Sequence, residues 1–145
     1  MNDNKRYLGL DFGSKTVGVA ISDPLLMSAS GLEIIRRDRE SKIRKTLSRI
    51  DEIIKEYDVD EFVLGLPMNM DDTEGERCRK TREFGENLER RTGLKVNYFD
   101  ERLSSFEAHE ILDECGIKSI NHKEFVDEVA AMVILQGFLE ERYNG

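Results

Sequence analysis

Three short apolar segments follow one another near the start of this chain before any helical pattern begins. They span residues 7–11, 17–21 and 32–36, and the second is especially rich in β-branched side chains. Turn-forming sequences separate them, with a Gly-Ser-Lys turn at residues 13–15 and a break at Asp23 and Pro24. Successive strands joined by short connections pair as antiparallel neighbours. The chain is therefore predicted to begin with three antiparallel strands.

Helical and strand patterns alternate after that point. Apolar residues recur at helical spacing over residues 43–54, and a strand is predicted over residues 62–66. Thr73 and Glu76 form a capping box for a second helix that Gly93 ends. A fifth strand, a third helix and a last helix are predicted over residues 94–99, 104–116 and 124–143. This order indicates a single α/β domain over residues 1–145, with a mixed five-stranded sheet flanked by helices.

The net charge of −8 argues against a nucleic-acid ligand when it is taken alone, because such affinity comes largely from Lys and Arg on phosphates. The distribution of charge weakens that objection. Seven basic residues lie between Arg36 and Arg49, and four more lie between Arg77 and Arg82. Each group could be the solvated face of a helix, or the two could together hold a polyanion.

Several features indicate a protein of the cytoplasm. The N-terminal residues have no apolar run of signal-peptide type, and no segment approaches the length of a transmembrane helix. The two cysteines, Cys78 and Cys115, are too few for a disulfide framework and lack metal-site spacing. Both lie on apolar sides of predicted helices, where a free thiol acts as a small hydrophobic side chain.

Carboxylates occur where sites form in such sheets, at the carboxyl ends of parallel strands. Asp11 ends a strand that should be buried, where a lone charge is costly unless a cation or hydrogen bonds compensate it. Asp100 and Glu101 end another strand, and only one of them can share the face of Asp11, because neighbouring side chains of a strand point to opposite faces. Spacing alone does not decide between them.

Asp127 lies near the start of the last helix, where the small residues Ala130 and Ala131 allow a close approach to the sheet. An acid there could also simply stabilise the N-terminus of the helix. A site of three carboxylates without His or Cys suits Mg²⁺ or Mn²⁺. Two such ions about 4 Å apart can assist phosphodiester cleavage.

Other polar residues border the same edge of the predicted sheet. Ser14 and Lys15 lie in the turn after Asp11 and could contact a phosphate or simply form the hairpin. Asn69 follows the fourth strand. Arg102 follows the acidic pair and could bind a carboxylate or a phosphate.

Four segments together resemble the YqgF family, also called the RuvX or Holliday junction resolvase family. They are LGLDFGSK at residues 8–15, LGLPMNMD at 64–71 with GE at 75–76, DERLSS at 100–105, and DEVAA at 127–131 with ILQ at 134–136. The resemblance covers nearly the whole chain in order. It implies a ribonuclease H-like fold related to the RuvC resolvases.

The resemblance also implies an activity: metal-dependent hydrolysis of phosphodiester bonds in processing the 5′ end of pre-16S rRNA. The metal-binding acids it implies are Asp11, Glu101 and Asp127, so Glu101 is chosen over Asp100 by analogy. The ribosome would be a partner, no membrane would be involved, and the protein would be a monomer or a weak homodimer. Two positions depart from the family pattern, Thr16 in the first motif and Asp72 in the second.

Three alternatives remain open at this point. The chain could act on branched DNA as a Holliday junction resolvase, which would require a dimer to cut two strands symmetrically. It could be a non-catalytic RNA-binding factor in ribosome assembly. The first motif also resembles the phosphate loop of the actin and sugar-kinase superfamily, although those proteins need two such domains to close on ATP.

Overall fold

Five strands form one mixed sheet in the order β3-β2-β1-β4-β5. The computed structural model describes residues 6–23, 28–39, 42–68, 71, 73–100 and 122–144, without the side chains of residues 122–128 and 143–144. β1 pairs antiparallel with β2 and parallel with β4, β2 pairs antiparallel with β3, and β4 pairs parallel with β5. The predicted mixed sheet is confirmed. The strands are β1 Arg6–Phe12, β2 Thr16–Ser22, β3 Ala29–Arg36, β4 Val59–Leu66 and β5 Val96–Asp100.

Helices cover both faces of this sheet. They are α1 Arg44–Tyr57, α2 Glu76–Thr92 and α3 His122–Leu139, and a π-helical turn Glu140–Asn144 follows α3. The helix predicted over residues 104–116 lies outside the described residues. None of the helices in the described ranges combines the length and apolar character needed to cross a membrane.

The sequence-based prediction for α2 is confirmed at its C-terminus and wrong at its N-terminus. Gly93 ends the helix as predicted, with φ of 74° and its N–H bonded to the carbonyl of Glu89 at 2.8 Å. The predicted capping box is wrong, because Gly75 is the N-cap and no side chain caps the helix. Thr73 instead donates from its N–H and its hydroxyl to Asp71 Oδ1. Thr73 lies two residues before the N-cap, so its hydroxyl is not at the position that accepts a hydrogen bond from the first helical N–H groups.

Side chains of the central strand β1 alternate between two cores. Leu8, Leu10 and Phe12 pack with the helices α1 and α2 on one face. Tyr7 packs on the other face with the α3 residues Ala131 and Leu135. Because alternate residues of a strand share a face, Asp11 lies on the face that α3 covers.

Helix α3 runs antiparallel to β1 and crosses it closely at Gly9. A Cβ atom at Gly9 would lie 2.7 Å from Leu135 Cβ and 3.0 Å from the carbonyl oxygen of Ala131. Further along the helix, the ring of Phe138 lies 6.0 Å from that of Tyr7, at the start of β1. The amino-terminal half of α3 therefore points towards the end of β1 that carries Asp11.

At the opposite edge of the sheet, Glu61 makes a partly buried network that should make folding stability depend on pH. Tyr7 Oη and Asn97 Nδ2 each donate to its carboxylate at 3.0 Å. Burial alone would raise the pKa of Glu61, but these hydrogen bonds outweigh it and lower the pKa below the ordinary 4.5. A lowered folded-state pKa gives stability that is present above the unfolded-state value and is lost as pH falls through the folded-state value.

We therefore expect Glu61→Gln to flatten the acid limb of the stability profile. Urea unfolding at about pH 6 and about pH 3.5 would measure it, because the ionised carboxylate contributes more stability at the higher pH. The wild type should lose more stability than the variant between the two pH values. Equal losses in both proteins would contradict the assignment of this network.

Candidate functional site

One edge of the sheet collects the segments that the sequence marked as functional. Strands β1, β4 and β5 are parallel, so their carboxyl ends lie at the same edge. The β1–β2 hairpin tip, the end of β3 and the amino ends of α1 and α2 lie there too, since each adjoins a strand end at that edge. This is where ligand sites form in such sheets.

Asp11 is the central acid of this edge. It is half-buried, stands next to last in β1 and pairs with Gly18 of β2. Residues directly opposite each other in an antiparallel pair point to the same face, and glycine has no side chain to fill the space beside the carboxylate. The predicted position of Asp11 at the end of a central strand is confirmed.

Position 127 lies in α3 one helical turn before Ala131. Ala131 packs over Gly9, and Asp11 is the next residue of β1 on that face. Because the helix and the strand run antiparallel, one turn back along α3 corresponds to two residues forward along β1. Both steps span about 6 Å. The backbone of α3 thus approaches Asp11 near position 127, while the side chain of Asp127 lies outside the described part of the structure.

The alternation of side chains along β5 shows which face of the sheet Asp100 lies on, a question that the sequence left open. Tyr98 packs in the core beneath α1 and α2, and the next residue, Phe99, packs against α3. Asp100 follows Phe99 as the last residue of β5, so alternation directs it away from α3 and from the face of Asp11. Asp100 is exposed.

The other predicted site residues divide into two sets. Ser14 and Lys15 form the exposed tip of the β1–β2 hairpin, beside Asp11. Asn69, Glu101 and Arg102 lie outside the described residues. Among the side chains that are described, no three His, Cys, Asp or Glu residues come together as a metal site.

Arg37 is a feature of this edge that the sequence did not predict. In the sequence it belongs to a basic group that could be a solvated helix face or part of a polyanion site, but it follows β3 and is only 7% exposed. Its Nη2 donates to the carbonyl of Gly13 at 2.6 Å, and its N–H donates to the carbonyl of Lys15 at 2.8 Å. Arg37 therefore fixes the hairpin that follows Asp11.

Phe12 forms an aromatic platform beneath the same hairpin. Its ring stacks on Phe84 of α2, with centroids 4.2 Å apart and planes 17° apart. The guanidinium carbons of Arg37 and Arg77 lie 4.7 and 5.3 Å from its centroid, which is within the range of cation–π attraction. The platform places two cationic groups next to the strand that carries Asp11. Sequence signals for it were weak, because neither arginine is adjacent to Asp11 in the chain.

Cys78 does not act as a nucleophile at this edge. It is fully buried, as the sequence predicted. Burial, and then its hydrogen bond to Glu74, raise the pKa of the thiol to about 11. Since only the thiolate is a strong nucleophile, Cys78 is unreactive at neutral pH.

Known proteins resemble this chain along nearly its whole length. A model of the RuvX family, described as Holliday junction resolvase, matches residues 5–141. A protein of Agathobacter rectalis, named "Putative pre-16S rRNA nuclease", is 63% identical over 139 residues, which are 96% of this chain and 97% of that protein.

Solved structures show the same fold at low sequence identity. The fowlpox virus Holliday junction resolvase is 14% identical, with a TM-score of 0.58 over 94% of this chain and 98% of that one. RuvC of T. thermophilus in complex with a Holliday junction substrate is 12% identical, with a TM-score of 0.55 over 95% of both chains. The predicted ribonuclease H-like, RuvC-related fold is confirmed, and by its sequence the chain belongs to the RuvX family.

Proposed function

We propose that this chain is a metal-dependent nuclease, a hydrolase acting on ester bonds, that processes the 5′ end of pre-16S rRNA. The name of the Agathobacter relative supports the activity and the substrate. The proposal includes a single nuclease domain in the cytoplasm that works at the ribosome as a monomer or a weak homodimer. Cutting one RNA strand requires only one active site.

The observation that carries the proposal is the antiparallel crossing of α3 over β1. It leaves Asp11 and position 127 on the same face and at the same edge of the sheet. An acid near a helix N-terminus has an ordinary structural explanation. That explanation gives no reason for position 127 to lie near the half-buried Asp11, whereas a cation shared by the two acids does.

Glu101 is proposed as the third acid. Asp100 points away from the face of Asp11, and the next residue of an extended chain would point towards it. This argument from strand alternation favours the same residue as the family resemblance.

The donor set fits a hard divalent cation. Asp11, Glu101 and Asp127 would supply only carboxylate oxygens, which Mg²⁺ and Mn²⁺ prefer, and Asp11 is half-buried beside a glycine. Bound ions, proposed to be two, would lower the pKa of a water nucleophile and neutralise charge on the leaving oxygen.

The other site residues would bind the substrate. Lys15 and Ser14 stand exposed at the hairpin tip that Arg37 holds in place, where they can reach a phosphate next to the cleaved bond. Asn69 and Arg102 follow β4 and β5 and are proposed to border the same edge. Their role is to orient the phosphodiester over Asp11.

The substrate is tested by offering the wild-type protein two nucleic acids with Mn²⁺ or with EDTA. One is an RNA with the 16S leader attached, and the other is a four-way DNA junction, the substrate implied by the family description. We expect metal-dependent cleavage of the RNA at its 5′ side. Symmetric cutting of the junction alone would favour the resolvase, and binding without cleavage of either would favour a non-catalytic assembly factor.

We expect Glu101→Gln to reduce cleavage roughly 100-fold or more, because even partners of a metal ligand contribute 10- to 100-fold. Asp100→Asn is the matched control at the adjacent position and should retain nearly full activity. Single-turnover rates at saturating Mn²⁺ measure both. The reverse order of the two variants would show that Asp100 is the ligand.

A further inference from the structure

The sequence contains two groups of basic side chains, and in the fold the two groups differ in how many acidic side chains lie near them. On α2, the basic side chains pair with acids of the same helix or of the residues just before it. Arg79 lies 3.6 Å from Glu76 and 3.5 Å from Glu83, and Arg82 is paired with Glu74. That group presents little net positive charge.

The other group lines a cavity of about 750 Å³. The cavity lies between the end of β3, the start of α1 and the last turn of α2. Six of its described lining side chains are cationic and one, Asp38, is acidic. The cations are Arg36, Arg37, Lys42, Arg44, Lys45 and Arg91.

Most of this positive charge has no local counter-charge. In the described part of the chain, no carboxylate lies within 4 Å of the charged groups of Arg36, Lys42, Arg44 or Lys45. The first turn of α1 contains no acid either, so the positive end of the helix dipole adds to the field. Neighbouring Glu40 and Ser41 lie outside the described residues. Several like charges gathered around one cavity attract a polyanion.

Arg37 connects this cavity to the candidate active site. It lines the cavity, and it also holds the hairpin that follows Asp11 through the carbonyls of Gly13 and Lys15. Arg36 of β3 pairs with Thr16 of β2, and β2 neighbours β1. The β3 end of the cavity is thus two strand spacings along the sheet from Asp11, while its α1 and α2 side lies on the face of the sheet opposite Asp11.

We propose that this cavity binds the sugar-phosphate backbone of the same nucleic-acid strand that is cut at Asp11, where that strand passes around the carboxyl-end edge of the sheet. This inference rests on the proposed nuclease function. Contacts to phosphates carry no sequence information, so the cavity sets the position of the strand and its affinity.

The test compares two variants with the same change in net charge. The first carries Lys42→Gln, Arg44→Gln and Lys45→Gln, three exposed positions at the cavity. The control carries Lys55→Gln, Arg90→Gln and Lys95→Gln, three exposed positions at the opposite edge of the sheet. Fluorescence anisotropy with EDTA measures binding of a labelled leader RNA and of a DNA strand of equal length between 0.1 and 1 M salt, and thermal unfolding checks both folds.

The cavity variant should bind roughly 100-fold more weakly than the control at 0.1 M salt, and the gap should close near 1 M. The slope of log affinity against log salt should fall by roughly 2 for a single strand, for three lost phosphate contacts. A loss for both RNA and DNA indicates backbone recognition, and a loss for RNA alone restricts the site to RNA. Equal affinities and slopes for the two variants would overturn the proposal, as would a wild-type protein that binds neither strand.

Cleavage separates this inference from the nuclease proposal. Substrates too short to reach the cavity from the cleaved bond should be cut equally by the wild type and the cavity variant. Longer substrates should be cut more slowly by the variant at low concentration. Normal cleavage of long substrates by the cavity variant would refute the cavity proposal and leave the nuclease proposal standing. Binding at the cavity without any cleavage would refute the nuclease proposal and leave the cavity proposal standing.

Discussion

Asp11→Asn should reduce phosphodiester cleavage about 1000-fold, which corresponds to about 4 kcal/mol of transition-state stabilisation. The amide keeps the shape of the side chain but cannot supply the anionic oxygen that a hard divalent cation requires. Single-turnover cleavage measures the loss, and thermal unfolding without metal checks that the variant keeps its fold.

Asp58→Asn is the matched control for this variant. It is the same substitution at the opposite edge of the sheet, where Asp58 lies between α1 and β4. Its φ of 55° is one that asparagine tolerates well. The control should retain full activity. Equal activity in wild type and Asp11→Asn would refute the metal-nuclease proposal.

Gly9→Val should destabilise the protein by about 3 kcal/mol, the upper part of the usual range for overpacking a core. A Cβ at this position already lies 2.7 Å from Leu135 Cβ and 3.0 Å from a helix carbonyl, so α3 must move away from the sheet. For a domain of this size the melting temperature should fall by roughly 10 °C. Thermal and urea unfolding would measure the loss.

The same variant should also lose cleavage activity at temperatures where it remains folded. Moving α3 moves position 127 relative to Asp11, and a displacement of about 1 Å at a reacting centre can cost about 100-fold. Gly9→Ala provides a graded comparison, since it adds only the first of the clashing atoms. The losses should increase from glycine to alanine to valine. A fully stable and active Gly9→Val would show that the close crossing of α3 does not position the site.

The sequence predicted the strands well because their apolar runs are short and their breaks are marked by glycine, proline and aspartate. It also placed Asp11 correctly at the end of β1, because a carboxylate there conflicts with the burial of the strand. It could not decide between Asp100 and Glu101. That choice depends on which face Phe99 packs against, a tertiary contact with α3 that no local pattern contains.

The basic residues show a second limit of sequence reasoning. In the sequence, Arg37 belongs to a basic group that could form a solvated helix face or hold a polyanion, whereas the fold buries it against the hairpin through contacts that no local pattern contains. The pairing of the basic side chains of α2 with acids could be predicted from the sequence, because Glu76 and Glu83 lie three and four residues from Arg79. The capping box was wrongly predicted because the sequence pattern does not show that the helix begins two residues after Thr73, with Gly75 as its N-cap.

The central claim is that Asp11, Glu101 and Asp127 hold divalent cations together. Anomalous diffraction from crystals soaked in Mn²⁺ tests it most directly. The account predicts an anomalous peak about 2.1 Å from a carboxylate oxygen of Asp11, with Glu101 and Asp127 completing the ligand set, and no peak there in Asp11→Asn. Manganese bound away from Asp11, or a peak that survives in Asp11→Asn, would contradict it.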